Sequence, residues 1–148
     1  TTTMALTAGT LAINVQYAQG LKDQDWFGKQ DPYAIVKCGT QTYRTKTAID
    51  GGKSPVWNET FTFNVINENS IEIEIKDEDT FRRDDVIGTA TFSLAKAREH
   101  GSDTLQAPVV GKKSKKQHGF VAITLKYITN DSIKPAAAQQ QSAPQQPQ

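Results

Sequence analysis

Apolar and polar residues alternate along most of the chain, in short runs rich in β-branched and aromatic residues that turn residues separate. A period of two is typical of strands that bury one face. The one plausible helical turn is LAKAREHG, 94–101, which Gly101 ends. We predict seven strands and a weaker eighth, in an all-β antiparallel sandwich. The seven are TLAINVQYA (10–18), PYAIVKC (32–38), TYRTKTA (42–48), ETFTFNV (59–65), SIEIEIK (70–76), VIGTATFSL (86–94) and GFVAITLKYI (119–128), and the weaker one is TLQAPVV (104–110).

The two ends of the chain lack this pattern. Residues 1–8 precede the first strand, and we expect them to be flexible. From Lys134 the sequence reads KPAAAQQQSAPQQPQ, which has no apolar residue larger than alanine and cannot offset the entropy cost of ordering. We therefore predict one domain over 9–129 and a disordered Gln/Pro/Ala-rich tail over 130–148.

Composition narrows the range of functions. The 17 basic and 16 acidic side chains give a net charge of +1, so electrostatic function must come from local asymmetry. No apolar run approaches the ~20 residues of a membrane span, and the N-terminus lacks the basic start and long apolar stretch of a secretory signal. We expect a cytoplasmic monomer that binds no nucleic acid. The single Cys38 lies in a strand-like run, which predicts a buried, inert thiol.

The densest charge lies in DEDTFRRDD, 77–85, where five carboxylates occupy nine positions. If the pleat of the preceding strand continues, Asp77 and Asp79 project to one side while Glu78 points away. At an effective dielectric of about 20, two such charges about 4 Å apart repel by about 4 kcal/mol, so the arrangement is costly without a cation. The alternative interpretation of these nine residues alone is an acidic, solvated loop.

A second acidic segment, GLKDQDWFGKQDPY (20–33), joins the first two strands and carries Asp25 and Asp31. Carboxylate clusters suit hard divalent cations, and calcium accepts about six to eight oxygen ligands with loose geometry, whereas magnesium demands a stricter octahedron. Zinc is disfavoured, because one cysteine and two scattered histidines offer no set of nitrogen and sulfur ligands.

Four motifs follow one another along the chain in the order GL, DWFGKQDPY, SPVWNETFTF and DEDTFRRDDVIG. Their order and intervals resemble those of the C2 domain, a calcium-dependent phospholipid-binding β-sandwich, and the resemblance covers about residues 9 to 129. Among proteins with one such domain, the chain is similar to the small plant elicitor-responsive and phloem-type proteins. The resemblance implies eight strands. Because the first strand leads straight into an aspartate loop, it also implies the phospholipase-type (type II) permutation.

The resemblance implies a calcium site built by aspartates from two loops. Backbone carbonyls near Asp23, Trp26 or Phe81 are candidates to complete the coordination. Arg82 stands where members with a third ion often carry a small hydroxyl residue, so two calcium ions are favoured over three. The positions that match the family's five aspartates are Asp25, Asp31, Asp77, Asp79 and Asp85.

The resemblance also implies membrane contacts. It places membrane-inserting residues at Trp26 and Phe81, and the alternative is that both rings fold back as loop packing. Arg82 is a candidate contact for a lipid phosphate. LysLysSerLysLys, 112–116, is a separate candidate for anionic contacts, or a flexible solvated loop. The basic strand residues that match a lipid-headgroup region of the family are Lys37, Arg44, Lys46 and Lys53, for which the alternative is a solvated sheet face of mixed charge.

These features predict a non-enzymatic, calcium-dependent sensor or adaptor that docks reversibly on anionic phospholipid membrane. We expect that membrane to be the plasma membrane. Two calcium ions would change the charge of the five carboxylates from about −5 to about −1. The alternative is a calcium-independent protein-interaction or structural module whose Gln/Pro tail binds a partner protein. Catalysis is not expected, because no pair of nucleophile and base is recognisable.

Overall fold

The computed structural model describes residues 8–22, 30–81, 83–112 and 114–129. Within these ranges the chain forms eight strands and one short helix, so the predicted all-β architecture is confirmed. The elements are β1 (Gly9–Gln19), β2 (Pro32–Cys38), β3 (Gln41–Arg44), β4 (Val56–Val65), β5 (Ser70–Asp77), β6 (Asp85–Ser93), α1 (Ala95–His100), β7 (Ser102–Val110) and β8 (Gln117–Thr129). The predicted termini, 1–8 and 130–148, lie almost wholly outside the described residues.

The strands hydrogen-bond in the order β3-β2-β5-β6-β7-β8-β1-β4, and every pairing is antiparallel. β6 and β7 meet only at Thr89 and Val110. The sheet therefore divides there into two groups of four strands, β3-β2-β5-β6 and β7-β8-β1-β4, which pack on each other as a sandwich. The phospholipase-type permutation stays a prediction.

Alternation along the strands supplies the hydrophobic core between the two sheets. Every second residue of β5, and of β1 as far as Val15, is buried, while the residues between them face outward; beyond Val15 a bulge shifts the register of β1. Each fully buried aliphatic side chain contributes about 1.5–3 kcal/mol. The side chains with almost no exposed surface include Leu11, Ile13, Val15, Phe63, Ile71, Ile73, Ile75, Ile123 and Leu125.

Two strands differ from the sequence prediction. β3 ends at Arg44 instead of continuing to Ala48, because the hydroxyl of Thr45 accepts the Ala34 N–H at 2.9 Å and replaces a carbonyl of the ladder. β7 is not a weak strand: it pairs with β8 from Ser102 to Val110. Its sequence pattern is faint because most of its residues are exposed or half-buried.

The helix α1 ends at Gly101 as predicted, with φ of 88° and a bond from its N–H to the Ala97 carbonyl at 2.8 Å. In the part of the chain that the structure describes, no helix is long and apolar enough to cross a membrane. Cys38 is only 1% exposed, which confirms the predicted burial, and that burial raises the pKa of its thiol to about 11.

Candidate functional site

Three neighbouring strands bring acidic residues to one end of the sandwich. In the β2–β5 register Pro32 lies opposite Asp77, and in the β5–β6 register Asp77 lies opposite Asp85. Because β5 runs antiparallel to both neighbours, its last residue meets the start of β2 and the start of β6. Asp31, Asp77 and Asp85 are therefore gathered at this end.

A hydrogen bond joins the two acidic segments at their bases. The Asp31 N–H donates to Oδ1 of Asp77 at 2.8 Å, and the Glu78 N–H donates to the Asp31 carbonyl at 2.9 Å. Asp77 is only 6% exposed. Oδ1 of Asp31 also accepts the Asp50 N–H at 2.7 Å, which ties in the segment after β3. These bonds fix the backbone that carries both carboxylates.

Asp79 and Asp84 organise the loop between β5 and β6. The Asp79 N–H donates to Oδ1 of Asp84 at 2.9 Å, and Oδ1 of Asp79 accepts the Phe81 N–H at 2.8 Å. The second of these bonds forms a local turn typical of aspartate. Asp79 is half-buried and Asp85 is exposed, so the loop carries its acidic groups at different depths.

Tyr33 on β2 supports this loop from the side. Its hydroxyl donates to Oδ2 of Asp84 at 2.6 Å. This bond, followed by the one from the Asp79 N–H, lowers the pKa of the Asp84 carboxyl, so that the group stays ionised. Burial, followed by the bond to Asp84, raises the pKa of Tyr33 to about 12. Strand parity predicts no role for Asp84, because this residue accepts hydrogen bonds within its own loop and from β2.

Glu78 is exposed while Asp77 is buried, as the predicted strand alternation requires. It contacts the outer face of β3: its Oε1 lies 2.8 Å from Nη2 of Arg44 and accepts a hydrogen bond from the Thr47 hydroxyl. The Arg44 guanidinium also lies 3.7 Å from the centroid of the Tyr33 ring. Arg44 and Tyr33 therefore hold the acidic loop through Glu78 and Asp84.

Gln30 fixes the base of the first acidic segment. Its side chain is fully buried, and Nε2 donates to the Lys22 carbonyl at 2.9 Å and to the Gly52 carbonyl at 3.1 Å. The Gly52 N–H donates back to the Gln30 carbonyl at 3.0 Å. No sequence pattern points to this residue, since a glutamine between charged residues is typical of solvated surface.

The geometry thus combines a two-layer antiparallel sandwich with aspartates at the strand ends of one edge. The family model of the C2 domain matches residues 9–128. The chain belongs to the C2 domain family.

Small plant proteins are among the relatives of this C2 domain, as the sequence resemblance predicts. Elicitor-responsive protein 3 of Oryza sativa subsp. japonica is 39% identical over 95 residues, which are 64% of this chain and 66% of that protein, just under two thirds of its length. The 16 kDa phloem protein 2 of Arabidopsis thaliana is 36% identical over 127 residues, covering 84% of this chain and 86% of that protein.

Solved structures support the same fold. A C2 domain-containing protein from a putative elicitor-responsive gene superposes with a TM-score of 0.75 at 30% identity, covering 88% of this chain and 96% of that one. The paired C2 domains A and B of extended synaptotagmin 2, solved with calcium bound, give a TM-score of 0.71 at 26% identity, covering 85% of this chain and 48% of that one.

Several predicted site residues of this C2 domain lie outside the described residues, namely Asp23, Asp25, Trp26 and Arg82. In the ranges that the structure describes, no group of three or more His, Cys, Asp or Glu residues could hold a metal ion by itself. The donor chemistry nevertheless fits calcium, because Asp31, Asp77, Asp79 and Asp85 offer only oxygen and stand at the ends of loops. A carboxylate has about four lone-pair sites, so one bond from a backbone N–H leaves capacity for an ion.

The predicted basic residues fall into two places. Lys37 and Arg44 share the outer face of β2 and β3, where Lys37 lies opposite Thr42 and Arg44 opposite Ile35. Both are already paired, Lys37 with Glu74 at 3.8 Å and Arg44 with Glu78. Lys46 is exposed just beyond β3. Lys53 lies in a turn beside the first acidic segment, where its carbonyl accepts the Leu21 N–H at 3.1 Å, so it is not part of the strand face.

Phe81 is the most exposed large apolar side chain in the described ranges, at 93%. It belongs to the same loop as Asp79, whose carboxylate bonds its N–H. A phenyl ring that stays in water does not contribute the stabilising free energy that its burial would provide. The ring is thus presented to solvent beside the aspartates, instead of folding back onto the loop.

Proposed function

We propose that this C2 domain binds calcium at its aspartate loops and thereby docks on anionic phospholipid membrane, as a non-enzymatic sensor or adaptor. One observation carries the proposal: the Asp31–Asp77 hydrogen bond and the Asp77–Asp85 register gather carboxylates from both loops at one end. The family and the calcium-bound structural neighbour support the same interpretation. We further propose that the protein acts in the cytoplasm and associates reversibly with the plasma membrane.

In this proposal the ion ligands are Asp31, Asp77, Asp79 and Asp85, with Asp25 as the fifth, and the carbonyls of Asp23, Trp26 and Phe81 as supplements. Calcium when bound would supply positive charge, which lowers the charge of the five carboxylates from about −5 to about −1 for two ions. Arg82 disfavours a third ion. The end of the sandwich would then no longer repel an anionic surface.

The membrane contact would combine apolar insertion with basic residues. Phe81 supports insertion because its ring is already exposed, and Trp26 is its proposed partner. Lys37, Arg44, Lys46, Lys53 and Arg82 are the proposed contacts for lipid phosphates. Glu74 already pairs with Lys37, and Glu78 with Arg44. A phosphate that binds the outer face of β2 and β3 must therefore compete with these two carboxylates.

The decisive experiment measures cosedimentation with phosphatidylserine vesicles, first with calcium and then with chelator, together with the melting temperature under both conditions. Calcium should raise the melting temperature, because it binds the folded loops and not the unfolded chain. At a calcium concentration one hundred times the dissociation constant, the free energy of unfolding should rise by about 2.7 kcal/mol. Asp79→Asn should remove most of this gain and most vesicle binding.

The matched control is Asp103→Asn, which changes an aspartate on β7 at the other end of the sandwich. It should behave as the parent protein does. An unchanged melting temperature in saturating calcium, with vesicle binding that ignores the chelator, would refute the calcium proposal. That result would favour the alternative of a calcium-independent interaction module.

A further inference from the structure

A cleft of about 750 Å³ opens beside the aspartate loops, where the two sheets of the sandwich diverge. β6 and β7 share one residue pair, Thr89 with Val110, and separate beyond it. The start of β6 forms one wall of the cleft. The loop that joins β7 to β8, together with Lys22 after β1, forms the other. Asp85, one of the proposed calcium ligands, lines the cleft, whereas Asp84, Lys22, Lys112 and Ser114 line it from outside that set.

The wall formed by the loop between β7 and β8 is basic and has a closed backbone. The Gly111 N–H donates to the Lys116 carbonyl at 2.9 Å, and the Lys115 N–H donates to the Gly111 carbonyl at 3.0 Å. The Ser114 hydroxyl accepts the Lys116 N–H at 3.2 Å. A side chain at Gly111 would collide with Ser114, since a Cβ there would lie 2.5 Å from the serine oxygen. Lys112 and Ser114 line the cleft next to these hydrogen bonds, and Lys22 lines it as well.

The wall formed by β6 is acidic at its rim and apolar at its floor. Asp84 and Asp85 supply carboxylates, and Val86 and the buried Ile87 supply hydrocarbon. The Asp84 carboxylate is held in place by the Tyr33 hydroxyl and the Asp79 N–H. Asp84 thus lines the cleft as a carboxylate fixed by two hydrogen bonds, and Lys22 and Lys112 line the same cleft.

Walls of opposite charge select the charge pattern of a ligand. A simple anion would be attracted by Lys22 and Lys112 but repelled by the aspartates. A simple cation would be attracted by the aspartates but repelled by the lysines. A ligand with a phosphate at one end and an ammonium at the other satisfies both walls. Lysine is a common phosphate ligand, and a primary ammonium can donate to Asp84, which is outside the proposed calcium set.

We propose that this cleft binds a phosphoethanolamine group, meaning a phosphate joined through two carbons to a primary amine, as found in amine-bearing phospholipids. The phosphate oxygens contact Lys22, Lys112 and the Ser114 hydroxyl. The ammonium contacts Asp84, and the hydrocarbon between them lies on Val86. Calcium is not required for these contacts, so the proposal goes beyond the calcium-dependent docking and can succeed or fail separately from it.

The test is a titration of the full ¹⁵N-labelled chain with glycerophosphoethanolamine in the presence of a chelator, followed by NMR. Amide shifts should change in 84–87 and 111–116. Inorganic phosphate and glycerophosphocholine, which lack a primary ammonium, should bind about tenfold more weakly, the effect of losing one charge-assisted bond of about 1.4 kcal/mol. Equal binding of all three probes would overturn the dipolar site, as would shifts confined to other residues.

Variants and vesicles locate the site and its source. Lys112→Gln should weaken the binding about tenfold, while Lys126→Gln, which changes an exposed lysine on β8 outside the cleft, should leave it unchanged. Equal affinities for the two variants would contradict the assignment. Phosphatidylethanolamine added to phosphatidylcholine vesicles, with chelator, should increase cosedimentation. Binding of the soluble headgroup without that increase would support the site and refute a lipid as its source, in favour of a free phosphorylated amine.

Discussion

The phenolic hydroxyl of Tyr33 donates a 2.6 Å hydrogen bond to the carboxylate of Asp84. The bond connects the beginning of β2 to the loop before β6, and the other oxygen of the same carboxylate accepts the Asp79 N–H at 2.9 Å. One side chain of the sheet therefore positions the backbone of a proposed calcium ligand. The Arg44 guanidinium lies over the Tyr33 ring and pairs with Glu78.

Removing the Tyr33 hydroxyl should loosen the loop without removing any proposed ion ligand. Tyr33→Phe should cost about 1–3 kcal/mol in the free energy of unfolding, because a bond to a charged, positioned acceptor is lost. It should also weaken calcium binding, which calorimetric titration would measure. Tyr17→Phe is the control, since the ring contact of Tyr17 with Phe120 survives the change. Identical calcium affinities of the two variants would show that the Tyr33–Asp84 bond does not prepare the site.

The raised pKa of Tyr33 predicts a stability loss at alkaline pH. Its pKa is about 12 in the folded protein, against an ordinary value of 10.0. The unfolded chain therefore loses this proton first, and the stabilisation, which is complete below pH 10, is lost as pH rises towards about 12. Ultraviolet titration should show one late tyrosinate that Tyr33→Phe lacks, and urea unfolding should show a smaller alkaline loss in that variant. A late tyrosinate that persists in Tyr33→Phe would belong to another residue.

The Arg44–Glu78 pair predicts that the basic strand face is restrained by its own carboxylates. If this face contacts lipid phosphates, Glu78→Gln should strengthen binding to phosphoinositide vesicles in chelator, since Arg44 is released from its 2.8 Å partner. Arg44→Gln should weaken it. Glu99→Gln, on the exposed face of α1, removes the same charge far from the face and serves as control. If Glu78→Gln and Glu99→Gln strengthened vesicle binding equally, the change in net charge alone would explain the result, and the Arg44–Glu78 pair would not restrain the face.

The sequence predicts the parts of this molecule that depend on periodicity. Alternation identified the buried Ile71, Ile73 and Ile75 and the outward direction of Glu78, because a strand allows only two side-chain directions. It could not identify Gln30 or Asp84, whose roles depend on acceptors or donors that are distant in sequence or internal to a loop. The grouping of Lys53 with Lys37 and Arg44 also depended on matching positions, whereas the structure separates them through the turn that holds Lys53.

Arg98 on α1 predicts a stability effect far from the proposed site. Its Nη2 donates to the carbonyls of Ile66 and Glu68 at 2.9 and 2.7 Å, and Nη1 donates to the Tyr127 hydroxyl at 3.2 Å. Arg98→Met leaves these acceptors without their charged donor and should cost about 2–3 kcal/mol in urea unfolding. Lys96→Met, on an exposed position of the same helix, should cost less than about 0.5 kcal/mol. If both variants lost a similar free energy of unfolding, the effect would come from changing a residue of the helix and not from the hydrogen bonds of the Arg98 guanidinium.

The exposed Phe81 ring predicts where the membrane anchor lies. Burying a large apolar side chain contributes about 1.5–3 kcal/mol, so Phe81→Ala should weaken calcium-dependent vesicle binding by about tenfold to a hundredfold. The calcium-induced rise in melting temperature should persist, because the Asp79 carboxylate is retained. Trp26→Ala combined with Phe81→Ala should lose most vesicle binding. Ile66→Ala, an apolar residue that is 58% exposed outside these loops, is the matched control and should bind as the parent protein does.

A tryptophan at position 81 would report insertion directly. In a Trp26→Phe background, which removes the emission of the other proposed inserting residue, Phe81→Trp should emit as a solvent-exposed indole in the free protein, against the constant signal of the buried Trp57. Its emission should shift to the blue only when calcium and anionic vesicles are both present, since neither the apolar contact nor the removal of charge repulsion should suffice alone. A blue shift with calcium alone would indicate that the ring folds onto the loop. An unshifted spectrum, with vesicle binding undiminished in Phe81→Ala, would transfer the lipid contact to the face of Lys37 and Arg44.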